Sequence, residues 1–215
     1  MIAVLASRFD PEAQSLVATW SGAGAVLLSA EDLCSPGWIF DPSDAASGAA
    51  VIGGQHARAS DLRAVLTRRP AVVAEELGRI DPADRAYVAA ETNAFTVAWL
   101  SALPCRVVNR PTPTSLCGPA WDALHWRAAA ARAGLSWENA PRHEEAHTVM
   151  VCGVRTLFAR DDQEHASALR LASVARVELL AVRMQRSRIC GACVGPDLTD
   201  EDLRACLLKH LLEAA

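Results

Sequence analysis

The first half of the chain alternates short apolar runs with longer segments that carry apolar residues at helical spacing. Four apolar runs have the length and composition of strands buried on both faces of a sheet, at 2–6, 25–30, 49–54 and 105–109. Four segments with helical spacing separate or follow them, at 11–24, 60–69, 81–103 and 118–135. Strands that alternate with helices predict a mostly parallel sheet with right-handed crossovers.

Capping residues and prolines set the boundaries of the predicted helices. Ser60 is a candidate N-cap for a short helix that ends before Pro70. Asp81 and Pro82 open the longest helical segment, which continues at regular spacing until Pro104. This segment gives the strongest helical signal in the sequence.

The second half of the chain has a different pattern. Two β-rich runs on either side of Cys152-Gly153 predict a hairpin over 147–159. Segments 161–175 and 199–215 are predicted helices, the second with Thr199 and Asp202 in capping-box positions. Between them, 177–184 is strand-like and 188–195 is either a short strand or a loop.

The predicted fold class is therefore α/β, with a mostly parallel N-terminal sheet flanked by helices and a smaller α+β C-terminal lobe that contains a hairpin. The predicted domains are 1–135 and 147–215, and the polar segment 136–146 is the predicted linker between them.

Composition excludes several classes of function. The 215 residues are 51% hydrophobic, and the formal net charge is −4, so no overall field favours nucleic acid or an anionic membrane. The N-terminal segment lacks the features of a signal peptide, and no apolar run has the length of a membrane span. We therefore expect a cytoplasmic protein whose seven cysteines are reduced.

Four polar residues form the predicted substrate-binding set. Glu91 and Asn93 lie on the helix predicted over 81–103, and Asn109 and Arg110 end the strand that follows it. The carboxyl ends of strands are where open α/β sheets bind ligands, and an arginine there can clamp a carboxylate or a phosphate. The alternative is that Asn109 caps the turn before Pro111 through its side chain. Both interpretations stay open, and no catalytic residue is assigned.

Two short motifs are weak candidates for a metal site. Cys190 and Cys193 form a C-x-x-C, but no second pair of ligands has metal-binding spacing, and two small apolar residues in a strand-like turn explain the motif more simply. His143 and His147 belong to H-E-E-A-H, which matches a zinc-protease pattern, but a proline precedes it and a β-rich run follows it directly. We therefore predict no metal.

The order and wording of several segments resemble the ATP-grasp ligases of the RimK and glutathione-synthetase type. The segments that carry the resemblance to the pre-ATP-grasp domain are "DRAYVAAETNAFTVAWLSAL", "CRVVNRPTP" and "WDALHWRAAAARAGL". The segments "ASALRLASVARVELLAVRM" and "VGPDLTDEDLRACLLKHLL" are similar to the end of such enzymes. The resemblance implies that the edge carrying Asn109 and Arg110 faces an acceptor substrate.

The sequence also departs from the pattern of this family. Between Gly134 and His147 the family has a long subdomain with lysines that grip the phosphates of ATP and a glycine-rich flap, whereas few residues occupy that interval in this chain. Lys209 is the only lysine in the sequence, and "RSRICGACVG" lacks the magnesium-binding acidic and Asn residues that the family has there. Because phosphoryl transfer needs cations and metal ions, the chain is expected to be a shortened member without ATP-dependent ligase activity.

Two hypotheses follow for the function. The first is a non-catalytic binding or accessory protein that holds a small acid, a peptide or a partner enzyme, in support of a peptide-modifying or small-molecule biosynthetic enzyme. The alternative is a minimal ligase or transferase that acts on a carboxylate or a peptide. We expect no cofactor and no binding to nucleic acid or membranes, and we expect a homo- or hetero-oligomer, with a dimer the simplest form.

Overall fold

The computed structural model describes residues 1–139 and 146–213. These residues form two compact units. The first comprises Met1–Gly118 together with the C-terminal residues from Leu211, and the second comprises Pro119–His210.

The first unit contains six strands and three helices of one turn or more within its described residues. In chain order they are β1 (Ile2–Leu5), α1 (Pro11–Thr19), β2 (Ala25–Leu28), α2 (Ala30–Leu33), β3 (Ala49–Ile52), β4 (Gln55–Arg58), β5 (Ala64–Thr67), α3 (Arg85–Ala102) and β6 (Arg106–Val108). Four of the strands form a parallel sheet in the order β2-β1-β5-β6. The prediction of a parallel sheet flanked by helices is confirmed.

The local sequence explains why the helices begin and end where they do. Asp10 caps α1, because its carboxylate accepts hydrogen bonds from the backbone N–H groups of Glu12 and Ala13 at 2.9 and 3.1 Å. α3 begins at Arg85, later than the predicted Asp81, and buries Trp99 and Leu100 against the sheet.

The helix predicted over 60–69 is wrong. Ser60 lies in a single 3-10 turn, Ala59–Asp61, and the following residues form β5. All four residues of β5 are buried between β1 and β6, because the apolar run "AVLT" gains two strand partners in the sheet. Tertiary pairing outweighs the local capping signal of Ser60.

The run 49–54 contains a strand, as predicted, but it does not join the parallel sheet. β3 pairs antiparallel with β4 and forms a separate two-stranded sheet. Gly53 and Gly54 make the turn with φ values of 59° and 73°, the left-handed conformation that a tight hairpin requires.

The second unit contains two further helices, four strands and most of a third helix. In chain order they are α4 (Ala123–Arg132), β7 (His147–Cys152), β8 (Arg155–Leu157), α5 (Asp162–Ala175), β9 (Leu179–Gln185), β10 (Arg188–Cys193) and α6 (Glu201–Leu212). The strands form an antiparallel sheet in the order β10-β9-β7-β8, so the predicted hairpin over 147–159 is confirmed, and the open choice for 188–195 resolves to a strand.

The helix α4 packs within the second unit, although the sequence assigned it to the domain 1–135. Its buried face, formed by Trp126, Ala129 and Ala130, belongs to the same core as Ala168 and Leu171 of α5. Helical spacing reveals such a face but not the element that covers it. Most of the predicted linker, 136–146, lies outside the described residues.

Two features of the second unit bear on later arguments. The turn between β9 and β10 consists of Arg186 and Ser187, with φ values of 50° and 59°. Asp200 caps α6 by accepting a hydrogen bond from the backbone N–H of Leu203 at 2.9 Å, so the predicted capping role of Thr199 is wrong. Among the described helices of both units, none combines the length and apolar character needed to cross a bilayer.

Candidate functional site

The loops that follow β1 and β5 lie side by side at the carboxyl edge of the parallel sheet. Leu5 pairs with Thr67, and the N–H of Arg68 donates to the carbonyl oxygen of Leu5 at 2.9 Å. From β1 the chain continues to β2 on one side of the sheet, and from β5 it continues to β6 on the other. The strand order therefore reverses between β1 and β5, the position at which open α/β sheets bind ligands.

Arg68 fixes the first part of the loop after β5. Its guanidinium pairs with Asp10 at 3.3 Å and with Glu12 at 2.6 Å, and both carboxylates lie at the start of α1. All of the charges in this cluster are therefore paired with one another, which leaves Arg68 a structural role.

Arg69 and Thr67 present polar atoms that have no hydrogen-bond partner in the described part of the chain. Arg69 is only 7% exposed; its Nε donates to the carbonyl oxygen of Ala71 at 2.8 Å, and its Nη2 pairs with Glu76. Its Nη1, and the hydroxyl oxygen of the 6% exposed Thr67, are buried without a hydrogen-bond partner among the described residues. A buried polar group left unpaired costs about 1–3 kcal/mol, so a ligand or a water that pairs with these atoms is favoured.

Glu76 is the carboxylate that pairs with Arg69 at this edge of the sheet. Burial acts to raise the pKa of its carboxyl group, but hydrogen bonds from Arg69 and Ser7, together with the charge of Arg69, lower that pKa below its usual value. Glu76 is therefore ionised at neutral pH and holds the guanidinium of Arg69 in place.

Each of the two loops at this edge also carries an exposed apolar side chain. Phe9, in the loop after β1, is 69% exposed, and Val73, in the loop after β5, is 44% exposed. The guanidinium of Arg8 lies 4.7 Å from the centre of the Phe9 ring. Loops that carry both buried hydrogen-bonding groups and exposed apolar side chains suit a ligand with both characters, such as a peptide.

In the structure, two of the four predicted substrate-binding residues make hydrogen bonds to the backbone of neighbouring elements. Asn93 joins α3 to the loop after β5: its Oδ1 accepts from the N–H of Val72 at 2.8 Å, and its Nδ2 donates to the carbonyl oxygens of Val72 and Ala89. Arg110 donates to four carbonyl oxygens at and after the end of α3, at 3.1–3.3 Å; these belong to Leu100, Ser101, Leu103 and Cys105.

The remaining two predicted residues lie apart from these contacts. Asn109 is 3% exposed and has a φ of 53°, so it occupies a left-handed turn that Asn tolerates well. Glu91 is exposed on α3. Asn93 contacts the loop that carries Arg69, and ligand binding by this set stays a prediction.

Sequence reasoning missed Thr67 and Arg69 because it placed both in a helix. The available signal was the four-residue run "AVLT", which has strand length and two β-branched residues and stands three positions before Pro70 ends the regular structure. If this run had been predicted as a buried strand, Thr67 would have been predicted to lie at the carboxyl edge of the sheet.

The candidate metal ligands do not converge within the described part of the chain. The thiol of Cys190, in β10, donates to the carbonyl oxygen of Arg183 at 3.4 Å, and burial raises its pKa; Cys193 is exposed. His147 is hydrogen-bonded to Glu164 at 2.9 Å, and His143 lies outside the described residues. Over residues 1–139 and 146–213, no three His, Cys, Asp or Glu side chains are grouped as a metal site requires.

No protein-family model and no curated protein sequence matches this chain. Several solved structures do. The ATP-grasp ligase PsnB, in complex with a phosphomimetic variant of its minimal precursor, Mg and ADP, superposes with a TM-score of 0.69 at 12% identity, over 98% of this chain and 97% of that one. The macrocyclase MdnB from Microcystis aeruginosa MRC gives 0.65 at 10% identity, over 99% of both chains.

A third structure extends the same pattern. The RiPP-associated ATP-grasp ligase from Chryseobacterium gregarium, in complex with ADP and a leader and core peptide, gives a TM-score of 0.67 at 10% identity, over 98% of this chain and 96% of that one. The resemblance seen in the sequence is thus confirmed in three dimensions, and it covers nearly the whole chain. This protein has the fold of the ATP-grasp ligases, in a shortened form in which only residues 133–146 separate α4 from β7.

Proposed function

We propose that this protein is a non-catalytic, ATP-grasp-derived binding protein that holds a peptide or a small acid in support of a peptide-modifying enzyme. The observation that carries the proposal is a pair of buried atoms, Thr67 Oγ1 and Arg69 Nη1, which have no hydrogen-bond partner within 1–139 and 146–213 and lie where the strand order of the parallel sheet reverses. Arg69 donates and Thr67 can donate or accept, so a carboxylate or a peptide carbonyl oxygen is a fitting partner.

The similar structures support the choice of a peptide. Three of them are ATP-grasp ligases that hold a precursor, leader or core peptide. Their likeness to this chain is one of fold, so the peptide is carried over as a proposal. The exposed Phe9 and Val73 favour a peptide over a bare small acid, because they offer apolar contact beside the polar atoms.

The absence of ATP-dependent chemistry is proposed from the residues that such chemistry needs. Lys209 is the only lysine, and it lies in the last turn of α6. Residues 133–146 are too few to form a phosphate-gripping subdomain. Stabilising a transferring phosphoryl group needs several cations placed around it. A minimal ligase or transferase acting on a carboxylate or a peptide is the alternative, and direct measurement separates the two.

The first experiment tests catalytic capacity. Isothermal titration of the full chain with ATP, in the presence and absence of Mg²⁺, is expected to give no binding heat. Magnesium-dependent binding of ATP at micromolar affinity would contradict the non-catalytic proposal and favour the alternative.

The second experiment tests peptide binding at the sheet edge. A random peptide library displayed on phage is panned against the full chain, and the recovered peptides are synthesised and titrated into variants. Thr67→Val, which removes only the hydroxyl group, and Phe9→Ala are expected to weaken binding about tenfold or more. Tyr87→Ala is the matched control, because Tyr87 is an equally exposed aromatic residue on α3. Peptides that bind all variants alike, or a library that yields no binder, would overturn the assignment.

A further inference from the structure

A polar cavity lies wholly within the second unit. It has a volume of about 200 Å³ and is bounded by α5, the turn between β9 and β10, and the segment after α4. Its polar lining includes Gln163, Ser167, Arg170, Arg186, Ser187 and Arg188. The proposed function uses none of these residues.

One face of α5 points polar side chains into this cavity. Gln163, Ser167 and Arg170 are spaced by four and three residues, so they share one side of the helix. None of the three makes a side-chain hydrogen bond or an ion pair with another described residue. Ser167 is only 4% exposed and lines the cavity, so its hydroxyl group is available to a ligand there.

The opposite wall adds positive charge on a well-defined backbone. Arg186 and Arg188 belong to the β9–β10 hairpin, whose register is fixed by the pairs of Arg188 with Gln185 and of Ile189 with Met184. The segment after α4 is joined to the same strand, because the N–H of Ile189 donates to the carbonyl oxygen of Ser136 at 3.1 Å and the N–H of Glu138 donates to that of Ile189 at 2.7 Å.

The net charge of the lining is positive. The described residues that line the cavity include three arginines and no acidic side chain, and one of the arginines, Arg188, pairs with the nearby Glu138, with 3.6 Å between Nη1 and the carboxylate. Arginine binds carboxylate and phosphate groups through paired N–H donors, and the Ser and Gln side chains add neutral donors. The volume is below that of a typical pocket for a whole ligand, about 300–1,000 Å³, so it fits one charged group with its remainder outside.

We infer that this cavity is a binding site for a single oxyanion group, a carboxylate or a phosphate, held by Arg170 and Ser167 on α5 and by the arginines of the β9–β10 hairpin. This inference does not rest on the peptide site proposed at the carboxyl edge of the parallel sheet, because the two sites are in different units and share no residue. Failure of peptide binding at that edge therefore leaves this inference standing, and the reverse also holds.

The test titrates inorganic phosphate and succinate separately into the full chain at constant ionic strength set with chloride, followed by calorimetry. Wild-type protein is expected to bind at least one of the two anions, and the tighter anion identifies the ligand class. Arg170→Ala is expected to weaken that binding about tenfold or more, and Arg170→Lys to weaken it less, because lysine keeps the charge but loses the paired donors.

Arg127→Ala is the matched control, since Arg127 is an exposed arginine of α4 outside the cavity and its loss changes the net charge equally. Ser167→Ala provides a second, charge-neutral probe of the same wall and is expected to weaken binding without altering the far-UV circular dichroism. Equal affinity in wild type, Arg170→Ala and Arg127→Ala would overturn the inference, as would the absence of binding by both anions.

Discussion

At the scale of single residues, Gly153 lies in close contact with the ring of His210. Gly153 forms the turn between β7 and β8 with a φ of 61°, and a Cβ atom placed on it would lie 2.5 Å from two atoms of the His210 ring. That ring cannot retreat freely, because its Nε2 is hydrogen-bonded to Glu178 at 3.0 Å and the residue is only 6% exposed. The turn therefore requires glycine for two separate reasons.

Gly153→Ala is expected to lower the free energy of unfolding through both effects. The left-handed backbone contributes about 1–2 kcal/mol, and overpacking against the imidazole contributes about 1–3 kcal/mol more. Urea unfolding measures the sum. Gly54→Ala is the control, since Gly54 has a φ of 73° but nothing within 4 Å of its would-be Cβ, so only the backbone effect applies. Equal losses in the two variants would contradict the proposed contact with His210.

Glu76 gives a second prediction at this scale, concerning pH. Because its pKa in the folded protein lies below the usual value of 4.5, its ionised form stabilises the fold above that pH, and the contribution disappears as the pH falls through the folded-state pKa. Glu76→Gln is expected to cost about 1–3 kcal/mol at pH 7 and progressively less below pH 4.5. Glu75→Gln, at an exposed neighbouring position, is expected to be nearly neutral throughout. A pH-independent difference between wild type and Glu76→Gln would refute the assignment.

At the scale of elements, β5 shows what a single sequence can and cannot predict. The long helix, the hairpin and the strand before Asn109 were all predicted, because each carries a periodic pattern that local rules interpret directly. β5 was not predicted, because a short apolar run is equally compatible with a buried helix segment until its neighbours in the sheet are known. The candidate site was therefore not predicted either, because the pairing of β5 with β1 is what places Thr67 and Arg69 at the edge of the sheet.

The C-x-x-C motif forms part of the strand β10. Cys190 lies where the register of β10 shifts between Ile189 and Gly191, and its thiol is half-buried, whereas Cys193 ends the strand and is exposed. The two thiols therefore differ in environment.

Alkylation with iodoacetamide at pH 8 is expected to reveal this difference. Cys193 should react first, because it is exposed, and Cys190 more slowly, because burial raises its pKa and lowers the thiolate fraction. Cys152, at 2% exposure, serves as the internal control and should react only after unfolding. Mass spectrometry of timed samples gives the order, and simultaneous labelling of Cys190 and Cys193 would count against it.

At the scale of the whole molecule, each unit has its own apolar core. The first is built on the parallel sheet with Trp99 and Leu100 of α3, and the second on the antiparallel sheet with Trp126 of α4 and Leu171 of α5. The two proposed sites therefore lie in different units, so each can be tested by substitutions in its own unit. The predicted dimer is tested by size-exclusion chromatography.

Two matched cavity-forming substitutions test the division itself. Leu100→Ala and Leu171→Ala each remove a side chain with no solvent exposure and are expected to cost about 2–5 kcal/mol. Native-state hydrogen exchange should show the larger loss of protection in 1–118 for the first variant and in 119–210 for the second. Leu124→Ala, at a site with 72% exposure, should change stability little. Identical loss patterns for both core variants would mean that the chain unfolds as one cooperative body.

The turn formed by Arg186 and Ser187 has a consequence for protein engineering. Both residues hold left-handed backbone angles that Asn-Gly would adopt with less strain, whereas the β3–β4 turn already uses two glycines. Replacement by Asn-Gly should therefore raise the melting temperature, and it would also remove one guanidinium group from the cavity of the second unit. Selection for heat resistance alone would thus act against the proposed anion site at these two positions.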